Sequence, residues 1–303
     1  MIEKIKGIEI VWLSQTDLTN LNAGEGGTNL VDVKKYLKNG IEYPYVSGQA
    51  MRHYLREAVR RKLKEGAFMC TPNDKGENCG QVQKCWNCDL FGYMLPIKGE
   101  GAGVRVSPVK VSTAMGLIPL ENNATIDFLT RKKRKSEGEK ASGDIVNVEL
   151  GVNLYKCGIS IDVERVGVNE QLDENTKELK YVPFIDQDEK KERINGVISS
   201  LPYLSDYSKQ ARLLTDFTPD VVLSASQNIY SHRLQKAFEI NTEVKLNIER
   251  FKMIVNEILA YSEVYFGLLP GVLANEQEVK QAAIELGLEV LTPSQAIEKV
   301  ILK

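Results

Sequence analysis

The sequence predicts an α+β fold: an RRM-like (ferredoxin-like) core with an inserted zinc loop, a thumb-like insertion and C-terminal helices. Three observations predict it. Apolar runs with strand and helix periodicity follow one another in the order strand, helix, strand, strand, helix, strand. Four of the five cysteines fall within residues 70–88, in one interruption of that order. Beyond residue 246 the apolar spacing reads as mostly helical. The expected organisation is one RRM-like domain over 1–303, with a zinc-loop insertion at 67–102, a thumb-like insertion at 113–147 and a helical part at 246–303.

The elements follow in order. IKGIEIVWLS at 5–14 is rich in β-branched and aromatic residues and predicts a buried strand. A polar, glycine-rich stretch follows at 22–29. The clearest helix then starts at Ser47, a good N-cap, and is expected to stop at Gly66, with Met51, Tyr54, Leu55 and Ala58 on one face. GVRVSPVKVS at 103–112 alternates as a strand, and VELGVNLYKCGISIDV at 148–163 predicts another. Residues 189–204 read as helix and DVVLSASQNIY at 220–230 as strand. The tail reads as three helices: NIERFKMIVNEILAYSEVYF, EQEVKQAAIELG and TPSQAIEKVIL.

Composition narrows the function classes. No apolar stretch approaches the ~20 residues that span a bilayer, and Glu3, Lys4 and Lys6 interrupt any signal-like run. A cytoplasmic protein without membrane contact is therefore expected. The net charge of −2 does not by itself announce a nucleic-acid binder, so the local sorting of basic residues decides.

They are sorted on the first helix. Arg52, Arg56 and Arg60 lie at i, i+4 positions, and Lys64 extends that stripe. The helix opens on Ser47, Gly48 and Gln49, whose free backbone N–H groups suit an oxyanion such as phosphate. A solvated basic face accounts for the same stripe. Cys70, Cys79, Cys85 and Cys88, spaced C-x8-C-x5-C-x2-C, offer a closed tetrahedral thiolate shell for a structural zinc; free thiols are the alternative. Cys157 stands alone in an apolar strand and reads as core. The run Arg131 to Lys135 reads as a solvated, mobile loop. STAMGLIPL at 112–120 is either an apolar tip that wedges between bases or a core strand edge. Catalysis finds little support. His53 and His232 are the only histidines, and Gly24, Gly26 and Gly27 lack the lysine and Ser/Thr of a phosphate loop.

Several segments carry a family resemblance. Residues 20–56, CWNCDLFGYM at 85–94, VRVSPVKVSTAMGLIPL at 104–120, ELGVNLYKCGISIDVERVG and SKQARLLTDFTPDVVL at 208–223 resemble DevR-type members of the Cas-seven family, the backbone subunits of type I CRISPR effector (Cascade) complexes. The resemblance runs over about residues 5–230. It implies a subunit that polymerises head-to-tail along a CRISPR RNA and presents it for pairing with target DNA, beside other effector subunits. Ser47, Gly48, Gln49, Arg52 and Arg56 would hold guide phosphates, with Lys209, Gln210 and Arg212 on a second basic loop. Met115 and Leu117 would flank a displaced base. Acidic outer surfaces meeting a neighbour's basic ones would reconcile the charge with RNA binding.

The expected subunit is not an enzyme. RNA-cutting relatives use an aspartate in the loop that Asp32 occupies here, but TNLVDVKKY offers no second acidic ligand. Two rivals stand beside the main reading: a type III-like subunit that cleaves target RNA, and a free-standing, zinc-containing regulator that binds nucleic acid.

Overall fold

The computed structural model describes residues 5–22, 30–97, 101–121, 123–132, 143–173, 175–205 and 213–303. In chain order the strands and helices are β1 (Gly7–Thr19), β2 (Leu30–Val31), β3 (Lys35–Lys38), β4 (Ile41–Val46), α1 (Gly48–Arg61), α2 (Trp86–Phe91), β5 (Tyr93–Ile97) and β6 (Gly101–Arg105). There follow β7 (Val109–Val111), β8 (Ala114–Gly116), β9 (Ala124–Lys132), β10 (Gly143–Asp162), β11 (Val168–Leu172), β12 (Leu179–Pro183) and α3 (Gln187–Ile198). The chain ends with β13 (Val221–Gln227), α4 (Ile248–Leu259), β14 (Ser262–Leu268), α5 (Glu276–Glu285), β15 (Val290–Leu291) and α6 (Pro293–Glu298).

A large mixed sheet dominates, so the chain is α+β as the sequence predicts. Its path runs β15-β14-β13-β1-β10-β8-β4-β3, with β2, β7 and β9 also paired to β10. The centre is antiparallel: β1 lies between β10 and β13, and β10 continues to β7 and β8. Strand alternation sends β1 side chains to two different cores. Ile8, Ile10 and Trp12 pack with Met51, Leu55, Trp86, Ile194 and Val197, residues of α1, α2 and α3. Val11 and Leu13 pack on the other side with Phe251, Val255, Val279 and Ala282 of α4 and α5. The sheet is thus covered on both faces.

Four segments differ from the sequence reading. The first helix ends at Arg61, with Lys62 as its C-cap, and Gly66 lies beyond it in a turn at φ +85°. The last turn tightens there, the Lys62 N–H donating to Val59 O at 3.1 Å and the Leu63 N–H to Arg60 O at 3.2 Å, while the side chains of Arg60 and Lys62 reach the carbonyls of Cys70 and Ser199 at 3.0 and 2.7 Å. The strand expected at 103–112 is two: β6 pairs with β5 in a separate hairpin, and β7 joins the main sheet. Pro108, which has no N–H for a ladder, lies between them. The arm read at 113–147 divides likewise. Ala114–Gly116 lie inside the sheet between β4 and β10, and the projecting hairpin is β9 with the first half of β10. Finally, SEVYFGL is strand β14, not helix; it completes the free edge of β13 with Val264, Phe266 and Leu268 buried.

Candidate functional site

The helix α1 positions the site. Ser47 caps it, its Oγ accepting from the Ala50 N–H at 3.3 Å while its own N–H donates to Asn22 Oδ1 at 3.0 Å. Met51, Leu55, Ala58 and Val59 are buried against the sheet, which turns Arg52 and Arg56 sideways. Gly48, Gln49, Arg52 and Arg56 line one open groove of ≈ 810 Å³. Ser47 borders this start but spends its hydroxyl on the cap.

The basic stripe is not uniform. Arg60 is paired with Glu57 and bonded to Cys70 O, and Lys64 reaches Glu192 at 2.7 Å. Arg52 and Arg56 have no ion-pair partner among the described residues. Burial, and then the neighbouring guanidinium, lowers each of their pKa values: Arg56 acts on Arg52, and Arg60 on Arg56. Lys110, on β7, lines the same groove and is lowered by burial, Arg165 and Arg52. Burial and neighbouring cations outweigh the opposing pull of Glu57 on Arg56 and of Asp162 on Lys110, so the three cations form a surface that an anion stabilises. The sequence reading missed Lys110 and Arg105; their signal was a pair of cations within an otherwise apolar strand pattern.

The opposite wall comes from the cysteine segment and the hairpin after it, through Asn78, Phe91, Tyr93, Met94 and Arg105. Arg52 lies over the Phe91 ring at 6.0 Å. Asp89, wholly buried beside Cys88, fixes this wall. It pairs with Arg105 and with Arg193 of α3, the latter at 2.8 Å, and accepts the Gly167 N–H at 3.1 Å. Arg193, itself buried, also donates to Glu189 Oε1 and to the carbonyls of Val82 and Gln83. Nothing in the sequence marked this Arg–Asp–Arg cluster, because its members lie in three separate elements.

Cys70, Cys79, Cys85 and Cys88 converge, their four Sγ atoms all within 4.8 Å of one another. Cys70 and Cys88 Sγ stand 3.7 Å apart, and Cys79 and Cys88 3.6 Å. A tetrahedral shell with metal–sulfur bonds of ~2.3 Å puts sulfurs about 3.8 Å apart, so the set fits a metal ion. Outer donors fit as well: the Cys70 N–H reaches Cys85 Sγ at 3.3 Å, and Asn87 Nδ2 reaches Cys70 Sγ at 3.5 Å. Cys157 lies apart, buried in β10, where burial pushes its thiol pKa well up.

Comparison with known proteins adds the decisive observation. Residues 15–233 match the family model described as CRISPR-associated negative auto-regulator DevR/Csa2. The chain belongs to the DevR/Csa2 family. Among solved structures, a chain of a "CRISPR RNA-guided surveillance complex" matches at TM-score 0.58 and 13% identity, over 97% of this chain and 98% of that one. A second, of a "CRISPR RNA-guided surveillance complex, pre-nicking", matches at TM-score 0.55 and 13% identity, over 97% and 99%. At that identity the likeness is one of fold. No curated protein sequence matches the chain.

The remaining candidates of this DevR/Csa2-family chain are scattered. Lys209, Gln210 and Arg212 lie outside the described residues, as do Lys133 to Lys135 and Gly24, Gly26 and Gly27. Met115 is half-buried in β8, opposite Tyr45 and Lys156, and Leu117 packs against the second core, so neither sits on the projecting hairpin. Asp32 is half-buried between β2 and β3, and its Oδ1 accepts no hydrogen bond among the described residues. The fold does bring an acid to that loop from β10: Glu149 accepts the Val33 N–H at 3.0 Å and pairs with Lys35 at 3.1 Å. The His53 ring lies tilted against Tyr54, and the His232 ring meets Tyr230 edge-on. No helix of the described residues is long and apolar enough to cross a membrane.

Proposed function

We propose that this chain is a CRISPR RNA-binding backbone subunit of a surveillance complex. It holds the guide's phosphates in the groove beside α1, polymerises head-to-tail along the guide and presents it to target DNA in a type I complex with other effector subunits. The antiparallel order β13-β1-β10-β8, with α1 and α3 on one face, supports an RRM-like core. The four thiolates hold a structural zinc, the compartment is the cytoplasm, and the subunit itself cuts nothing.

One observation carries this reading: Arg52, Arg56 and Lys110 share a groove with the start of α1, and no carboxylate pairs with any of them among the described residues. Replacing Arg52 and Arg56 by alanine should weaken binding to every RNA sequence alike. The slope of log K against log salt should flatten by roughly 0.7 per lost phosphate contact. An unchanged slope rejects the assignment.

The family's own description as an auto-regulator favours a second reading, a free-standing nucleic-acid-binding regulator. Size-exclusion mass with and without RNA separates the two, since only a backbone subunit grows with RNA length. Target cleavage is tested on the protein assembled with guide RNA, complementary RNA and magnesium. Regularly spaced cuts that vanish in Asp32→Ala would replace the non-catalytic reading with the RNA-cutting one.

A further inference from the structure

The hairpin β5–β6 carries an apolar face that neither core uses. Met94 and Val104 are cross-strand partners, exposed by 69% and 63%, and Val106, two residues on, by 54%. Their alternating neighbours turn the other way: Leu95 closes on Gly80, and Arg105 reaches Asp89. The face is held firmly from behind. A Cβ at Gly92 (φ +68°) would stand 2.3 Å from the Arg105 carbonyl oxygen, so only glycine permits this crossing of the two chain segments.

Met94 lines the same groove as Arg52, Arg56 and Lys110. One wall therefore carries Arg52, Arg56 and Lys110 with no salt bridge among the described residues, and the other carries the exposed Met94 beside Phe91 and Tyr93, with Arg105 turned back onto Asp89. An occupant that satisfies both is anionic along one side and flat and apolar along the other. A single nucleic-acid strand has that division, with phosphates on one side and unstacked bases on the other. A duplex does not, because its bases are stacked inside.

We infer that the Met94–Val104 face is a base platform: the phosphates of a single strand lie on Arg52, Arg56 and Lys110, and its bases rest on the hairpin. The inference rests on the guide-RNA reading and goes past it by assigning base contact to β5–β6, not to Met115 and Leu117. Contact through an apolar surface tolerates every base, as a guide of variable sequence requires.

The test uses the full-length protein and a M94S/V104S variant. Both side chains are exposed, so their loss leaves the cores intact. Binding is measured against an oligouridylate of about twelve nucleotides and an abasic ribose-phosphate of equal length, across a salt series. The wild type should prefer the base-bearing strand. The variant should lose roughly five- to twentyfold on that strand and nothing on the abasic one, with the salt slope unchanged. Equal losses on both strands, or none on either, overturn the platform. So does a variant that binds both strands normally but no longer associates with a second copy, which makes the face a protein contact. A wild type that binds neither strand overturns the guide-RNA reading together with the platform. A wild type that binds both, matched by the variant, overturns the platform alone.

Discussion

Asp89 shows how much one residue can hold. Its carboxylate lies between Arg105 and Arg193 with no solvent, and the two arginines donate onward to the carbonyls of Val168, Arg165, Val82 and Gln83. Removing Asp89 leaves Arg105 without a carboxylate and Arg193 with Glu189 alone, and breaking a buried pair in this way costs about 3–5 kcal/mol. Asp89→Ala should therefore lower the denaturation midpoint strongly, and a loss under about 1 kcal/mol would show that the cluster relaxes freely. Gly196, in the last turn of α3, reports the same junction. A Cβ there would stand 2.5 Å from the Trp86 ring, so the usual helical advantage of alanine is reversed by overpacking. Gly196→Ala should destabilise by about 1–3 kcal/mol in the same assay.

At the scale of elements, sequence legibility follows locality. The start of α1 was readable because Ser47 caps within three residues, and the cysteine cluster because its ligands lie within 70–88. The helix end at Arg61 was not, since no glycine marks it: the turn there closes on Val59 O and Arg60 O, and Lys62 anchors it to Ser199 O, 137 residues away. Strand β14 was misread for a similar reason: its partner β13 lies about forty residues upstream, and an apolar run alone does not separate helix from strand. The cysteine segment offers the test at this scale. Metal-replete protein should carry about one zinc per chain, and chelation should remove hydrogen-exchange protection from residues 70–93 while β1 and β10 keep theirs. Protection lost across β1 and β10 as well would show that the metal holds the whole fold and not only the segment.

The whole molecule is a sheet between two cores, and Glu9 lies within the second layer. It is fully buried on β1, where it accepts from Gln227 Nε2 at 3.0 Å and from the backbone N–H groups of Leu234 and Gln235 at 3.1 and 3.3 Å. Burial raises its pKa from 4.5 to about 7, against the opposing pull of those donors. The unfolded chain therefore releases this proton first. The contribution of Glu9 is fully present below about pH 4.5 and is lost as pH rises to about 7. Thermal midpoints measured in steps across that window should fall for the wild type and fall less for Glu9→Gln. Parallel curves for the two proteins would place the pH dependence elsewhere.

The fold class, the cap of α1, the basic stripe and the thiolate set were decided by residues close together in the chain, where periodicity, capping and ligand spacing act over a few positions. Which members of the stripe stay unpaired was decided in three dimensions: Glu57, Cys70 and Glu192 engage Arg60 and Lys64 and leave Arg52 and Arg56 to meet Lys110. The apolar wall facing them was decided there too, because Asp89 joins α2, β6 and α3 through charges that find their partners only when the chain is folded.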